Sequence, residues 1–120
     1  MTALELATAS LKAYVEKDRQ ALETLIADDF RFTSPIDNQI DRASYFRRCW
    51  PNSNSMTSAT IVSAADLGDH AFIVYEVEAL GKRFRNCERY SSRDGQITSV
   101  EVYFGWDLPH PASVGGFIEK

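Results

Sequence analysis

The chain has 120 residues, the size of one domain, and that is enough to bury a core without disulfides or metals. A net charge of −4, with 44% hydrophobic and 25% charged residues, is ordinary for a soluble globular protein and offers nothing to a phosphate backbone, so no nucleic-acid partner is expected. No apolar run approaches the roughly 18 residues of a membrane span. The N-terminal stretch mixes acids with apolar groups and reads as neither a signal nor a transit peptide, so a cytoplasmic location and no membrane contact are expected.

Two cysteines, Cys49 and Cys87, stand far apart and outside any CxxC pattern, which favours free thiols. His70 and His110 are isolated as well, so no metal site is expected. No glycine-rich phosphate loop is present, and no serine sits in a His/Asp setting.

Taken in order, Leu4, Ala7, Leu11, Tyr14 and Val15 fall at helical spacing and predict a helix over roughly 3–17, with Thr2 as its N-cap. Asp18 reads as the cap of a second, shorter helix whose apolar stripe is Ala21, Leu22, Leu25 and Ile26. Asp28-Asp29 ends that helix. Phe30, Phe32 and Ser34 then alternate as a short strand stopped by Pro35. Residues 36–39 read as a turn. Asp41 caps a third helix over roughly 42–50, closed by Pro51, and 52–55 reads as a loop. From Met56 the pattern is β only. A strand over 56–65 is followed by a turn at 66–69. A strand over 70–79 follows, with Ile73, Tyr75, Val77 and Ala79 on one face. Gly81 marks the next turn, and a long hairpin runs over 82–106. The stretch 107–120, with Pro109, Pro111, Gly115 and Gly116, is expected to be irregular. Helices first and an antiparallel meander after them predict a single α+β domain over 1–120. Three N-terminal helices would pack over the concave face of a curved sheet and leave a cavity fit for a small molecule.

The hairpin loop decides which side chains face that cavity. A two-residue Asp94-Gly95 loop sets Glu88 against Glu101, two like charges face to face. A three-residue loop, Arg93-Asp94-Gly95, pairs Ser92 with Gln96 and sets Glu88 against Val100. The second arrangement sorts the residues better and is the expected register. Phe84, Asn86, Glu88, Tyr90, Val100, Val102 and Phe104 then share one mostly apolar face. Arg83, Arg85, Cys87, Arg89, Glu101 and Tyr103 share the other.

The order of these pieces carries a resemblance. Two helices precede ADDFRFTSP (27–35), a third helix ends in CWP (49–51), and the meander ends in RDGQITSVEVYFGW (93–106). Over nearly its whole length the chain resembles the nuclear transport factor 2-like superfamily, and within it the SnoaL-like branch. Relatives of that branch include ketosteroid isomerase, polyketide cyclases and limonene epoxide hydrolase. The resemblance implies a cone-shaped α+β sheet with a deep pocket for a small apolar molecule, no cofactor, and a homodimer through the outer sheet face. It does not bring the relatives' catalytic sets with it. By that resemblance Ser34 stands where the isomerases place their base, and their oxyanion aspartate falls near Cys87, or near Asn86 or Glu88 if a bulge intervenes. Cys87 and Val102 replace the two acids of the epoxide hydrolases.

Glu88 is the first site candidate. In an apolar pocket it would work as an acid or base near neutral pH; the plain alternative is a carboxylate paired with Arg85 or Arg89. Asn86 either orients a ligand carbonyl or supports Glu88, or is an amide satisfied by backbone groups. Asp37 either replaces the missing base or simply makes its turn. Phe32, Tyr45, Trp50, Tyr75, Phe84 and Val102 are the candidate ligand wall, with core packing as the plain reading of the aromatics. Glu101 and Tyr103 belong to the outer face. Two functions follow: a cofactor-free acid/base isomerase, cyclase or hydrolase, or a non-catalytic ligand-binding or dimerisation module.

Overall fold

The structure is a computed structural model and describes residues 1–116; the part of the expected tail that falls on 117–120 lies outside the described residues. The α-helices are α1 (Ala3–Glu16), α2 (Arg19–Leu25) and α3 (Arg42–Arg48). A 3₁₀ segment spans Trp50–Ser55. The strands are β1 (Ile26–Ser34), β2 (Asp37–Asp41), β3 (Met56–Asp66), β4 (His70–Ala79), β5 (Lys82–Arg93) and β6 (Gln96–Leu108).

Local chemistry explains the helix ends. At Thr2 a full capping box forms. Its hydroxyl accepts from the Glu5 N–H at 3.2 Å, and the Glu5 carboxylate accepts from the Thr2 N–H at 2.9 Å. The break between α1 and α2 needs neither Gly nor Pro. Lys17 takes a left-handed φ of 58°, and the Asp18 carboxylate accepts from the Ala21 N–H at 3.0 Å. Asp41 caps α3 in the same way, from the Ser44 N–H at 2.9 Å.

Several boundaries differ from expectation. Asp28 and Asp29 do not end α2; they lie inside β1, in a stretch where that strand bulges out between its pairings at Ile26 and Arg31. Arg93 holds Asp29 there at 2.9 Å. Residues 36–39 are not merely a turn. Asp37–Asp41 is an edge strand paired to β1, and its polarity follows from being largely exposed. The third helix stops at Arg48 rather than near 50. Pro51 sits in the first turn of the 3₁₀ segment, where its missing N–H costs nothing, so 52–55 is helical rather than loop. The last strand runs on to Leu108, one residue past the expected start of the tail.

The six strands form one curved, mixed sheet in the order β2-β1-β6-β5-β4-β3. Only the β1–β6 pair is parallel, and β2 and β3 remain as edges, so the sheet is not closed. Bulges in β3 and β6 bend it. The helices cover the concave face, with α1 lying across β3, β4 and β5. Leu6, Leu22, Phe30, Ile73 and Ile97 are fully buried between the layers.

The register of the β5–β6 hairpin corrects the expected loop. Arg93 pairs with Gln96 around a two-residue turn, with positive φ at both Asp94 (54°) and Gly95 (77°). One residue later β6 carries a bulge at Thr98, because Ser92 pairs with Ile97 but Ser91 pairs with Ser99. The bulge moves every later pair by one. Glu88 therefore lies opposite Val102, not Val100, and Arg89 opposite Glu101. The like-charge clash that argued against the short loop is removed by the bulge rather than by a longer turn.

Candidate functional site

Between the concave face and the helices lies a cavity of about 680 Å³. Its buried part is walled by Leu11 and Tyr14 of α1, Phe32 of β1, Tyr45 of α3, Tyr75 of β4 and Val102 of β6. At the other end stand Ile36, Leu80, Phe104 and Trp106. Ile36 is 73% exposed and Leu80 is 83% exposed, which marks the mouth. Two of these rim residues, Ile36 and Leu80, come from turns. Sequence periodicity does not flag such positions.

At the floor sits Glu88, 8% exposed, with its side chain on the inner face of β5. The Tyr90 hydroxyl donates to its Oε1 at 2.7 Å. Tyr75 of β4 lines the same cavity beside it. Neither expected arginine partner reaches it. Arg85 and Arg83 both bond Glu76 on the outer face, and Arg89 stands 4.0 Å from Glu101 there. Among the described residues no cation pairs with Glu88. Burial therefore pushes its pKa up, and the neighbouring Tyr75 and Tyr90 hydroxyls pull it back only in part.

The surrounding phenols are held in their neutral, donating form. Burial raises the pKa of Tyr75 and Tyr90, and the adjacent charge of Glu88 raises both further. Tyr14 and Tyr45 are hydrogen-bonded to each other, and burial raises both. Ser10 on α1 also lines the cavity. Tyr14, Tyr90 and Ser10 were not among the expected site residues. Tyr90 shares the strand parity of Glu88, and Ser10 and Tyr14 are four apart on one helix face, so spacing alone could have pointed to them.

The other expected residues are distributed as follows. Asn86 lines the cavity next to Glu88. Its Oδ1 accepts from the Gly105 N–H at 3.1 Å, and its Nδ2 lies 3.5 Å from the Tyr75 hydroxyl. Phe32, Tyr45, Tyr75, Phe84 and Val102 all line the cavity. Trp50 does not. It packs edge-on against Tyr14 at 5.0 Å, because the helix ends before it and the 3₁₀ turn swings it behind the wall. Asp37 lines the cavity side, but its Oδ1 takes Nε and Nη2 of Arg48 at 3.0 and 2.9 Å. Its Oδ2 takes the Ser34 hydroxyl at 3.0 Å. Among the described residues no three His, Cys, Asp or Glu side chains converge as a metal would need. Cys49 and Cys87 are free thiols, and no helix among the described residues is long and apolar enough to cross a membrane.

The model of the SnoaL-like domain family matches residues 7–100. The chain belongs to that family. In this SnoaL-like chain the positions that serve as catalytic acids in relatives are otherwise engaged. Ser34 holds Asp37 and accepts from the Ile36 N–H, and Cys87 sits between Val74 and Tyr103 on the outer face. Among curated proteins no sequence matches significantly. Solved structures do match. A protein from Kribbella flavida superposes with a TM-score of 0.78 at 24% identity, over 87% of both chains. A candidate ketosteroid isomerase from the same organism gives 0.73 at 17% identity, over 97% of this chain and 87% of that one. An LEH-like epoxide hydrolase from M. tuberculosis gives 0.69 at 17% identity, over 86% and 82%. At these identities the likeness establishes the nuclear transport factor 2-like fold and nothing finer.

Proposed function

We propose that this SnoaL-like domain binds a small, mainly apolar molecule in the cavity, and that Glu88 meets its polar group. One observation carries the reading: a carboxyl is buried at the floor of an apolar cavity with no cationic partner among the described residues. Such a group holds its proton more tightly than an exposed glutamate. The chemistry this fits is cofactor-free acid/base catalysis: isomerisation, cyclisation, dehydration or hydrolysis. Asn86 supports Glu88. Asp37, bound to Arg48 and Ser34, shapes the rim.

A second reading is a binding module without turnover. It is favoured by the Tyr90 hydrogen bond, which gives Glu88 a partner within the protein itself. A homodimer through the outer sheet face, where Val74, Cys87 and Tyr103 form a cross-strand row, belongs to either reading.

The test is a thermal-shift screen of apolar carbonyl compounds and epoxides, followed by product analysis for every binder. Turnover by wild type and none by Glu88→Gln supports catalysis. Binding without turnover in both proteins supports the module. Turnover that survives in Glu88→Gln removes Glu88 from the mechanism.

A further inference from the structure

The acid at the cavity floor stands among uncharged groups. Its cross-strand neighbours on β4 and β6 are Ile73 and Val102, both apolar and buried. The Tyr90 hydroxyl engages one of its two oxygens, Oε1, at 2.7 Å. Asn86, two residues away on the same face of β5, brings no charge. Its Oδ1 accepts from the N–H of Gly105, where β6 bulges a second time between the pairs Asn86–Phe104 and Arg85–Trp106. Its Nδ2 lies 3.5 Å from the Tyr75 hydroxyl.

Charge is spread unevenly along the cavity. Toward the mouth Lys82 and Asp107 supply one charge of each sign, and Asp37 is held by Arg48 at 2.9 Å. Among the described residues, Glu88 is the cavity acid with no cation paired to it. A buried carboxyl so placed either keeps a proton or takes up a cation from outside the protein. The walls favour the cation. Tyr14, Phe32, Tyr45, Tyr75 and Phe84 set aromatic rings around the cavity, Phe32 and Tyr45 with ring centres 5.0 Å apart. The faces of such rings carry negative charge density and draw a cation. Tyr14 and Tyr45 join their hydroxyls to each other at 2.5 Å, so what they offer a ligand is mainly ring surface.

We propose that the molecule this cavity takes is an apolar amine, whose protonated nitrogen settles against the Glu88 carboxylate inside the aromatic wall. The inference rests on the reading above, that the cavity is a ligand site with Glu88 as its polar centre, and it adds the sign of the ligand's charge. An ammonium N–H donates to Glu88, supplies the counter-charge that the protein does not place there, and leaves the carbon skeleton against the rings. A neutral alcohol of the same shape gains the hydrogen bond without the charge. An anion of the same shape meets a like charge at the floor.

The experiment compares probes that share one skeleton, adamantane carrying an amine, a hydroxyl or a carboxylate, by titration calorimetry near neutral pH against wild type and Glu88→Gln. Wild type should prefer the amine to the alcohol by about tenfold, the size of one desolvated cation contact, and should reject the carboxylate. In Glu88→Gln the amine and the alcohol should bind alike. An amine preference that survives undiminished in Glu88→Gln overturns the proposal. The methyl resonances of Val102, opposite Glu88, report whether the amine reaches the floor. Shifts confined to Leu80 place it at the mouth beside Asp107 and overturn the proposal as well. Should Glu88→Gln fail to fold, the wild-type ranking and the Val102 shift decide alone, and an alcohol or carboxylate that binds as tightly as the amine refutes the assignment. The two failures are separable. Equal binding of amine and alcohol sinks the charge assignment and leaves the cavity a ligand site, whereas no binding by any of the three, nor by any compound of the thermal-shift screen, sinks the ligand site and this inference with it.

Discussion

Gly105→Ala isolates the backbone feature on which the site rests. The added Cβ falls 2.0 Å from the Arg85 carbonyl oxygen and 3.0 Å from its carbon, roughly 1.4 Å short of ordinary van der Waals contact with the oxygen. The obstacle is backbone in the middle of a paired strand, not the end of a flexible side chain, so rotamer change gives no relief. Overpacking of this kind costs about 3 kcal/mol, the upper part of the usual range. For a domain of this size that corresponds to a melting temperature lower by about 10 °C. The glycine's φ is not the issue, since among the described residues the left-handed glycines are Gly68, Gly81, Gly95 and Gly115. The cost is purely close approach, so Gly105→Ser should behave like Gly105→Ala. Gly95→Ala has nothing within 4 Å of its added Cβ and loses only the turn preference, about 1 kcal/mol. Thermal melts followed by circular dichroism rank the three. If Gly105→Ala melts within 2 °C of wild type, the bulge relaxes freely and cannot be what orients Asn86.

Two other outcomes follow from the same geometry. Glu88 has a folded-state pKa above its ordinary value of 4.5, so its contribution to stability is fully present below that value and is lost as pH rises through the folded midpoint. Glu88→Gln should therefore gain on wild type as pH rises from 4.5 to 8 in urea melts; a gap that is constant or shrinks contradicts the burial argument. The outer face predicts a dimer mass by light scattering at micromolar concentration, with Tyr103→Arg shifting the protein toward monomer; a monomeric wild type removes the dimer from the proposal.

Much of the scaffold was legible because it rests on local chemistry. Thr2, Asp18 and Asp41 cap their helices as their side chains dictate, and β4 alternates as its burial requires. The misread places share a physical cause. Asp28-Asp29 and residues 37–39 are polar because they lie on a bulge and on an edge strand, where side chains meet water or, at Asp29 and Asp37, an arginine. Polar composition signals exposure, and exposure is common to turns, helix ends and edge strands alike. The wall residues Phe32, Tyr45, Tyr75, Phe84 and Val102 were found because a cavity wall and a core obey the same periodicity. Trp50 was not separable from them, since its position depends on how the chain leaves α3.

The hairpin shows why a strand face can be read correctly from an incorrect pairing. Which face a side chain takes is a matter of parity along the strand, whereas which residue it opposes depends on every inserted residue between it and the turn. Sorting the charges of β5 and β6 onto one face selects a parity. It cannot tell a three-residue loop from a two-residue loop followed by a bulge, because both give the same parity. The protein uses the second: Asp94-Gly95 closes the turn, Thr98 shifts the register, and Glu88 reaches the cavity floor opposite Val102. The distinction has chemical weight. With a three-residue loop and an unbroken ladder Asn86 would face Val102, and Gly105 would lie beyond its reach. The bulges at Thr98 and Gly105 bring a free backbone N–H to the Asn86 side chain instead. The bulges thus decide which groups stand beside Glu88 on the cavity side of the sheet, and a change that heals the one at Gly105 should release the Asn86 side chain even where the fold survives.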